Sequence, residues 1–171
     1  NALDAAQRNT GGLIGFFGPS GAGKTAAGLR YTLHMRANYN RFHDLQYLYL
    51  SFKNGWSQEA FTTYEERGFS VEQYALVLMD HVFRGLVLSS DAEQPSVNNP
   101  SAALLELGKH YAKAVAAISG SGCHPSVVLH IDEHTVVHKD PKTRRSFFDC
   151  LTNLSLKLRE ENFCMFLIAT S

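Results

Sequence analysis

Four short segments of this chain are apolar almost throughout, and they constrain the fold more than any other feature. In a strand with one face in water, apolar and polar residues alternate, because successive side chains point to opposite faces. These segments show little such alternation, so we expect both of their faces to be buried. They are GLIGFFG (12–18), LQYLYLSF (45–52), SVVLHIDE (126–133) and FCMFLIATS (163–171).

Helical patterns separate these apolar segments. Residues 23–39 favour a helix, 70–73 have the Ser-x-x-Gln form of a capping box, and Asp140-Pro141 suits the start of another helix. Residues 54–125 are typical of a long, mostly helical stretch between the second and third strands. Buried strands that alternate with helices indicate a parallel sheet with helices on both faces. We therefore predict a three-layer α/β fold with a mainly parallel sheet.

Composition places the chain among ordinary globular proteins. Its 171 residues, 44% of them hydrophobic and 19% charged, are enough for one domain with its own core. The 16 basic and 16 acidic residues give no net charge, so nothing global indicates a nucleic-acid partner. The three cysteines form no CxxC pair and suggest reduced thiols in an intracellular protein, cytoplasmic or nuclear. The sequence shows no apolar run long enough to cross a membrane.

The glycine-rich segment GPSGAGKT, at 18–25, fits the pattern G-x-x-x-x-G-K-[ST] at every required position. Glycines allow backbone torsions that larger residues resist, so such a loop can turn successive N–H groups towards an anion. A helix that begins near Gly23 would add its N-terminal dipole. We expect Lys24 to reach the β- and γ-phosphates of a nucleotide and Thr25 to present its hydroxyl to Mg²⁺. The remaining loop residues are Gly18, Pro19, Ser20, Gly21, Ala22 and Gly23.

The same residues also spell GAGKTA, which fits the weaker dinucleotide pattern G-x-G-x-x-A. A dinucleotide site wants an acidic residue at the end of the second strand, where it binds the ribose. Here that strand ends in Ser51, Phe52 and Lys53. We therefore reject the dinucleotide interpretation.

An Asp-Glu pair would complete a nucleotide site. VVLHIDE, at 127–133, is an apolar strand that ends in Asp132 and Glu133. Ligands of open α/β sheets bind at the carboxyl ends of the strands, and a phosphate-binding loop needs a second carboxylate for Mg²⁺. We expect Asp132 to bind Mg²⁺, directly or through water, and Glu133 to orient and activate the attacking water.

Together these motifs resemble those of the P-loop ATPases with an added strand and a catalytic glutamate, the group that contains the AAA+ and STAND ATPases. GPSGAGKT is similar to their Walker A motif, VVLHIDE to their Walker B motif, and MFLIATS to their strand that ends in a polar sensor residue. The resemblance implies one P-loop NTPase domain over 1–171, with ATP and Mg²⁺ as ligands. It implies catalytic roles for Lys24, Glu133 and a sensor, Ser171 or, less favoured, Thr170.

The resemblance has further implications. The span from Lys24 to Asp132 is long for AAA+ proteins, so we expect residues 54–125 to be mostly a helical insertion. LYLSFKNG and LHIDEH are also similar to the ATPase modules of Crinkler and retrotransposon hot-spot proteins. The chain begins at Asn1 and stops at the sensor position, so we expect a C-terminally incomplete fragment whose partners are other copies or other domains of the same protein. The family likeness favours ATP over GTP, and no Asn-Lys-x-Asp base-reading motif occurs in the sequence. Three functions stay open: an ATPase, an ATP-dependent switch or assembly module with little turnover, and a small-molecule kinase.

Three histidines at four-residue spacing, His130, His134 and His138, raise the alternative of a transition-metal site. On an extended strand the first two would lie roughly 13 Å apart, whereas the ligands of one zinc lie about 2 Å from the metal. We therefore expect His130 to be a hydrogen-bonded strand residue and the others to be loop residues. Whether His134 affects the charge of Glu133 stays open.

The aromatic residues do not by themselves indicate base stacking. No basic residues are interleaved with Trp56 or with the tyrosines, so we expect core or rim packing for them. The basic loop KDPKTRR, at 139–145, is too short to support a nucleic-acid interface on a neutral protein. The tyrosines concerned are Tyr47, Tyr49, Tyr64 and Tyr74.

Overall fold

The computed structural model describes residues 13–16, 22–53, 62, 64–84, 98–137 and 140–171. A single 3₁₀ turn, Asn40–Phe42, joins the first helix to the second strand. The strands are β1 (Leu13–Phe16), β2 (Gln46–Ser51), β3 (Ser126–Asp132) and β4 (Cys164–Thr170). The helices are α1 (Lys24–Asn38), α2 (Val71–Arg84), α3 (Pro100–Ile118), α4 (His134–Val137) and α5 (Pro141–Glu160).

The four strands form one sheet in the order β1-β4-β3-β2. All three strand pairs are parallel. Parallel neighbours need a crossover that returns the chain to the same end of the sheet, and helices supply it here. The carboxyl ends of the strands therefore lie along one edge, where Ser51 pairs with Asp132 and Asp132 with Thr170.

Helices cover both faces of this sheet, and the two faces have separate cores. On one face, which we call the α1 face, Met35 packs with Val128, Phe166 and Ile168. On the other, the three-helix face, α2, α3 and α5 pack over the alternate residues of the same strands. The predicted α/β class, a parallel sheet packed against helices, is confirmed.

Local sequence signals place the helix starts. The Ser70 hydroxyl accepts from the Gln73 backbone N–H at 3.2 Å, and the Gln73 side chain accepts from the Ser70 N–H at 2.8 Å. This reciprocal pair is the predicted capping box. Asp140 accepts from the Thr143 N–H at 2.8 Å, with Pro141 as the first residue of α5. The predicted capping residues are therefore confirmed.

The helices α2 and α3 lie between β2 and β3 in sequence, within the region predicted as a helical insertion. They supply much of the core on the three-helix face, including Phe83, Leu104 and Tyr111. These two helices are therefore part of a core layer of the fold rather than an addition to its surface. Within the described ranges, no helix has both the length and the apolar character needed to cross a membrane.

Candidate functional site

The polar residues of the sheet gather at its carboxyl edge on the α1 face. Alternation along the strands brings Tyr49, Asp132 and Thr170 to this face, because each lies an even number of residues from an α1-face core position. Asp132 is 3% exposed and Thr170 is fully buried. A buried carboxylate must be hydrogen-bonded to remain charged at low cost, so its partners define the site.

Asp132 accepts four hydrogen bonds. Its Oδ1 accepts from the Thr170 hydroxyl at 2.5 Å and from the Glu133 backbone N–H at 3.0 Å. Its Oδ2 accepts from the Tyr49 hydroxyl at 2.7 Å and from the Thr25 hydroxyl at 3.0 Å. A carboxylate offers about four lone-pair sites, so these four donors fill its capacity, and a cation beside Asp132 would be bound through water or in place of one donor.

The hydrogen bonds decide the charge of Asp132. Burial alone would raise the pKa of this carboxyl, but the hydrogen bonds from Thr170, Tyr49 and Thr25 outweigh it and lower the pKa below its usual value. The donors favour the ionised form because they have no equivalent interaction with a protonated oxygen. Asp132 is therefore a carboxylate at neutral pH.

The first turn of α1 carries the described part of the glycine-rich motif. Gly23 is the residue before the helix and has φ 76°, a left-handed conformation that suits glycine. Lys24 begins the helix, and the Thr25 contact fixes this turn beside Asp132. Gly18, Pro19, Ser20 and Gly21 lie outside the described residues. The structure thus brings Thr25 and Asp132 together, as a shared Mg²⁺ site requires.

His130 lies one strand pleat below Asp132 and is fully buried. Its Nε2 is 2.8 Å from the Thr170 hydroxyl, and its Nδ1 is 2.8 Å from the Tyr47 hydroxyl. Burial lowers the pKa of His130, and the charge of Asp132 offsets this only in part. The predicted hydrogen-bonded strand histidine is confirmed.

Helix α1 approaches the sheet closely at this histidine. A Cβ added to Gly28 would lie 2.2 Å from Nδ1 of His130, far inside van der Waals contact. Glycine is therefore required at this position by packing. This close approach explains why α1 has glycine, a residue of poor helix propensity, at position 28.

Glu133 follows Asp132 in a left-handed backbone conformation, with φ 56°. Its N–H donates to the Thr170 carbonyl at 2.8 Å and to Oδ1 of Asp132. Its side chain is partly exposed and accepts from the Lys53 ammonium at 2.9 Å. Hydrogen bonding and attraction to Glu133 raise the pKa of Lys53. The carboxylate at the predicted catalytic position is thus engaged in an ion pair.

His134 corrects one prediction from the sequence. We expected a loop residue, but His134 begins α4 and is 2% exposed, with its ring 5.1 Å from that of Phe148. Burial, and then the charge of Arg144, lower its pKa to about 4, although Asp132 and Glu133 act in the opposite sense. The imidazole is therefore neutral at neutral pH and brings no positive charge to Glu133. His138 lies outside the described residues.

Sequence reasoning missed three members of this site. Tyr47 and Tyr49 were expected to serve only in packing, and Lys53 only as evidence against a dinucleotide site. All three come from β2 or the turn after it, whose register against β3 is a long-range property. Of the two sensor candidates, Thr170 contacts Asp132, while the assignment of that role to Ser171 stays a prediction.

The donor set at the edge suits a hard cation. A hydroxyl and a carboxylate are the oxygen ligands that Mg²⁺ prefers, and Thr25 and Asp132 are adjacent. Within the described part of the chain, no group of three or more His, Cys, Asp or Glu side chains is placed to hold a metal. The cysteines Cys123, Cys150 and Cys164 are all free thiols. No family model matches the sequence, and no curated protein matches it either.

Proposed function

We propose that the chain is a P-loop domain that binds ATP and hydrolyses it in the presence of Mg²⁺. The observation that carries the proposal is the 3.0 Å contact between the hydroxyl of Thr25 and Oδ2 of Asp132, which are 107 positions apart. This contact joins the last residue of the glycine-rich motif, 18–25, to the Asp-Glu pair at the end of β3. The position of β4 between β1 and β3 also suits the ATPases with an added strand that the sequence resembles.

The residues of the first helical turn have complementary roles in this proposal. The amides of the 18–25 loop and the dipole of α1 would bind the phosphates, and Lys24 would neutralise them. Thr25 donates its hydroxyl hydrogen to Asp132, which leaves the oxygen lone pairs directed elsewhere for a cation. Mg²⁺, when bound, neutralises phosphate oxygens and stabilises the charge that develops during transfer.

Glu133 is the residue we assign to the attacking water. It immediately follows the carboxylate assigned to Mg²⁺, and its backbone N–H is fixed by β4 and by Asp132 itself. These contacts fix the backbone of Glu133, and therefore the position of its Cα and Cβ, at the edge of the site. General-base assistance of this kind contributes typically 10²- to 10⁴-fold to a rate.

A second candidate function is an ATP-dependent switch that turns over little. The ion pair between Glu133 and Lys53, at 2.9 Å, favours it. A carboxylate oxygen that accepts from an ammonium is occupied by that contact, so it is less available to orient an attacking water. Nucleotide binding would then matter more than hydrolysis.

The test measures ATP affinity by calorimetry and phosphate release, each with and without Mg²⁺. We expect Lys24→Ala to abolish Mg²⁺-dependent binding, and Glu133→Gln to retain it while phosphate release falls about 100-fold or more. The matched control is Glu160→Gln, an exposed residue at the end of α5. Wild-type binding without release, and a change of elution volume with ATP on size exclusion, would identify the switch. The absence of any Lys24-dependent ATP binding would refute both functions.

A further inference from the structure

A line of four hydrogen-bonded side chains runs across the α1 face of the sheet. The Tyr47 hydroxyl contacts Nδ1 of His130 at 2.8 Å, and Nε2 of the same ring contacts the Thr170 hydroxyl at 2.8 Å. The Thr170 hydroxyl continues the line to Oδ1 of Asp132 at 2.5 Å. His130, Asp132 and Thr170 are buried, so the orientation of each group depends on its protein neighbours.

With Asp132 ionised and the His130 ring neutral, only one placement of the hydrogens satisfies every contact in the line. An ionised Asp132 can only accept, so the single hydrogen of the Thr170 hydroxyl points to it. That hydroxyl then accepts from Nε2–H of His130. In a neutral ring this leaves Nδ1 as the acceptor, and the Tyr47 hydroxyl donates to it.

The packing holds the His130 ring in place. A Cβ on Gly28 would collide with Nδ1, so α1 leaves no room for the ring to move towards the helix. The Tyr49 ring meets it edge-on at 5.2 Å between centroids. Because the ring cannot move, only its tautomer can vary. The hydrogen bonds to Tyr47 and Thr170 determine which tautomer forms.

We propose that Tyr47 and His130 are positioning residues: Tyr47 favours the Nε2–H tautomer of the ring by donating to Nδ1, and the ring then reinforces the Thr170 hydroxyl as a donor to Asp132. In the other tautomer Nε2 would be a second acceptor, which would compete with Oδ1 of Asp132 for the single hydrogen of the Thr170 hydroxyl. The consequence for nucleotide rests on the proposed function, because that function assigns Asp132 to Mg²⁺.

The first experiment reads the tautomer directly. Long-range ¹H–¹⁵N correlation spectra of the chain labelled at histidine distinguish Nε2–H from Nδ1–H, and His130→Gln identifies the signals of His130. We expect the Nε2–H form in the wild-type chain and a shift towards Nδ1–H in Tyr47→Phe. Tyr39→Phe, a tyrosine of the same face outside the line, should leave the tautomer unchanged. An Nδ1–H ring in the wild type, or no response to Tyr47→Phe, overturns the proposal.

The second experiment measures Mg²⁺-dependent ATP affinity. We expect Tyr47→Phe to weaken it about 3- to 10-fold, as for the loss of one hydrogen bond, and affinity without Mg²⁺ to be unchanged. His130→Leu should weaken it at least as much, and His130→Gln should recover part of the loss because its amide can donate to Thr170. Wild-type affinity in both Tyr47→Phe and His130→Leu overturns the proposal.

The two experiments separate failure of the inference from failure of the proposed function. If the wild-type chain binds no ATP, the proposed function is wrong, and the tautomer spectra still decide whether Tyr47 directs the line of hydrogen bonds. If ATP binds and the tautomer does not respond to Tyr47, the function stands and the positioning role is wrong.

Discussion

The two faces of the sheet use the same three strands for different purposes. On the three-helix face, the residues of β3 and β4 are apolar from end to end, and those of β2 are apolar after Gln46 at its start; they include Leu50, Leu129 and Leu167. On the α1 face the apolar cluster is smaller and gives way to His130, Asp132 and Thr170 towards the carboxyl edge. The difference indicates that one face supplies most of the stability, whereas the other can accommodate a polar site.

The largest effect on stability is expected from a truncation on the three-helix face. Leu129 is fully buried in that core, so Leu129→Ala should lower the free energy of unfolding by about 2–5 kcal/mol through lost burial and a residual cavity. Urea unfolding followed by circular dichroism measures it. The control is Leu33→Ala on α1, whose side chain is 51% exposed and should change the value by less than about 0.5 kcal/mol. Equal losses of unfolding free energy at the two positions would show that Leu129 does not lie in a stabilising core.

An intermediate effect is expected where α1 touches its face of the sheet. Gly28→Ala should destabilise the chain by about 1–3 kcal/mol, because the added Cβ collides with the His130 ring. This loss outweighs the gain of about 1 kcal/mol in helix propensity. Gly108→Ala in α3 is the matched control, since its Cβ would meet only the tips of Leu154 and Leu158, 3.0 Å away or more. A larger loss at Gly108 would show that the tighter packing lies on the other face.

The smallest effect on stability is expected at the edge itself. Lys53 is 65% exposed in its side chain, so Lys53→Met should leave the unfolding midpoint unchanged. If the chain turns over ATP, phosphate release should rise about 2- to 10-fold, because Glu133 is then free to act as a base. A fall in release, measured beside Lys109→Met as a control, would show instead that the ammonium holds Glu133 in its working position.

Sequence reasoning succeeded where the signal is local. The capping residues Ser70 and Asp140 depend on neighbours a few positions away, and the structure has them as expected. The strands β2, β3 and β4 begin and end within one residue of the predicted segments. The burial of His134 depends instead on the ring of Phe148 in another helix. No periodicity around residue 134 could have shown it.

The composition of the site shows the same limit. Thr25 and Asp132 were predicted because each belongs to a motif of known chemistry, although their contact spans most of the chain. Tyr49 reaches Asp132 only through the register of β2 on β3. Apolar strands buried on both faces leave that register open, because a shift by one residue still buries apolar side chains.

The backbone of Glu133 has a consequence for how this chain could change. Its left-handed conformation suits glycine, and any residue with a Cβ bears a cost of roughly 1–2 kcal/mol there. At position 133, backbone stability therefore favours glycine, whereas the proposed chemistry needs a carboxylate. Selection for thermal stability alone would favour Glu133→Gly. The more stable protein would then lack the carboxylate that we propose orients the attacking water.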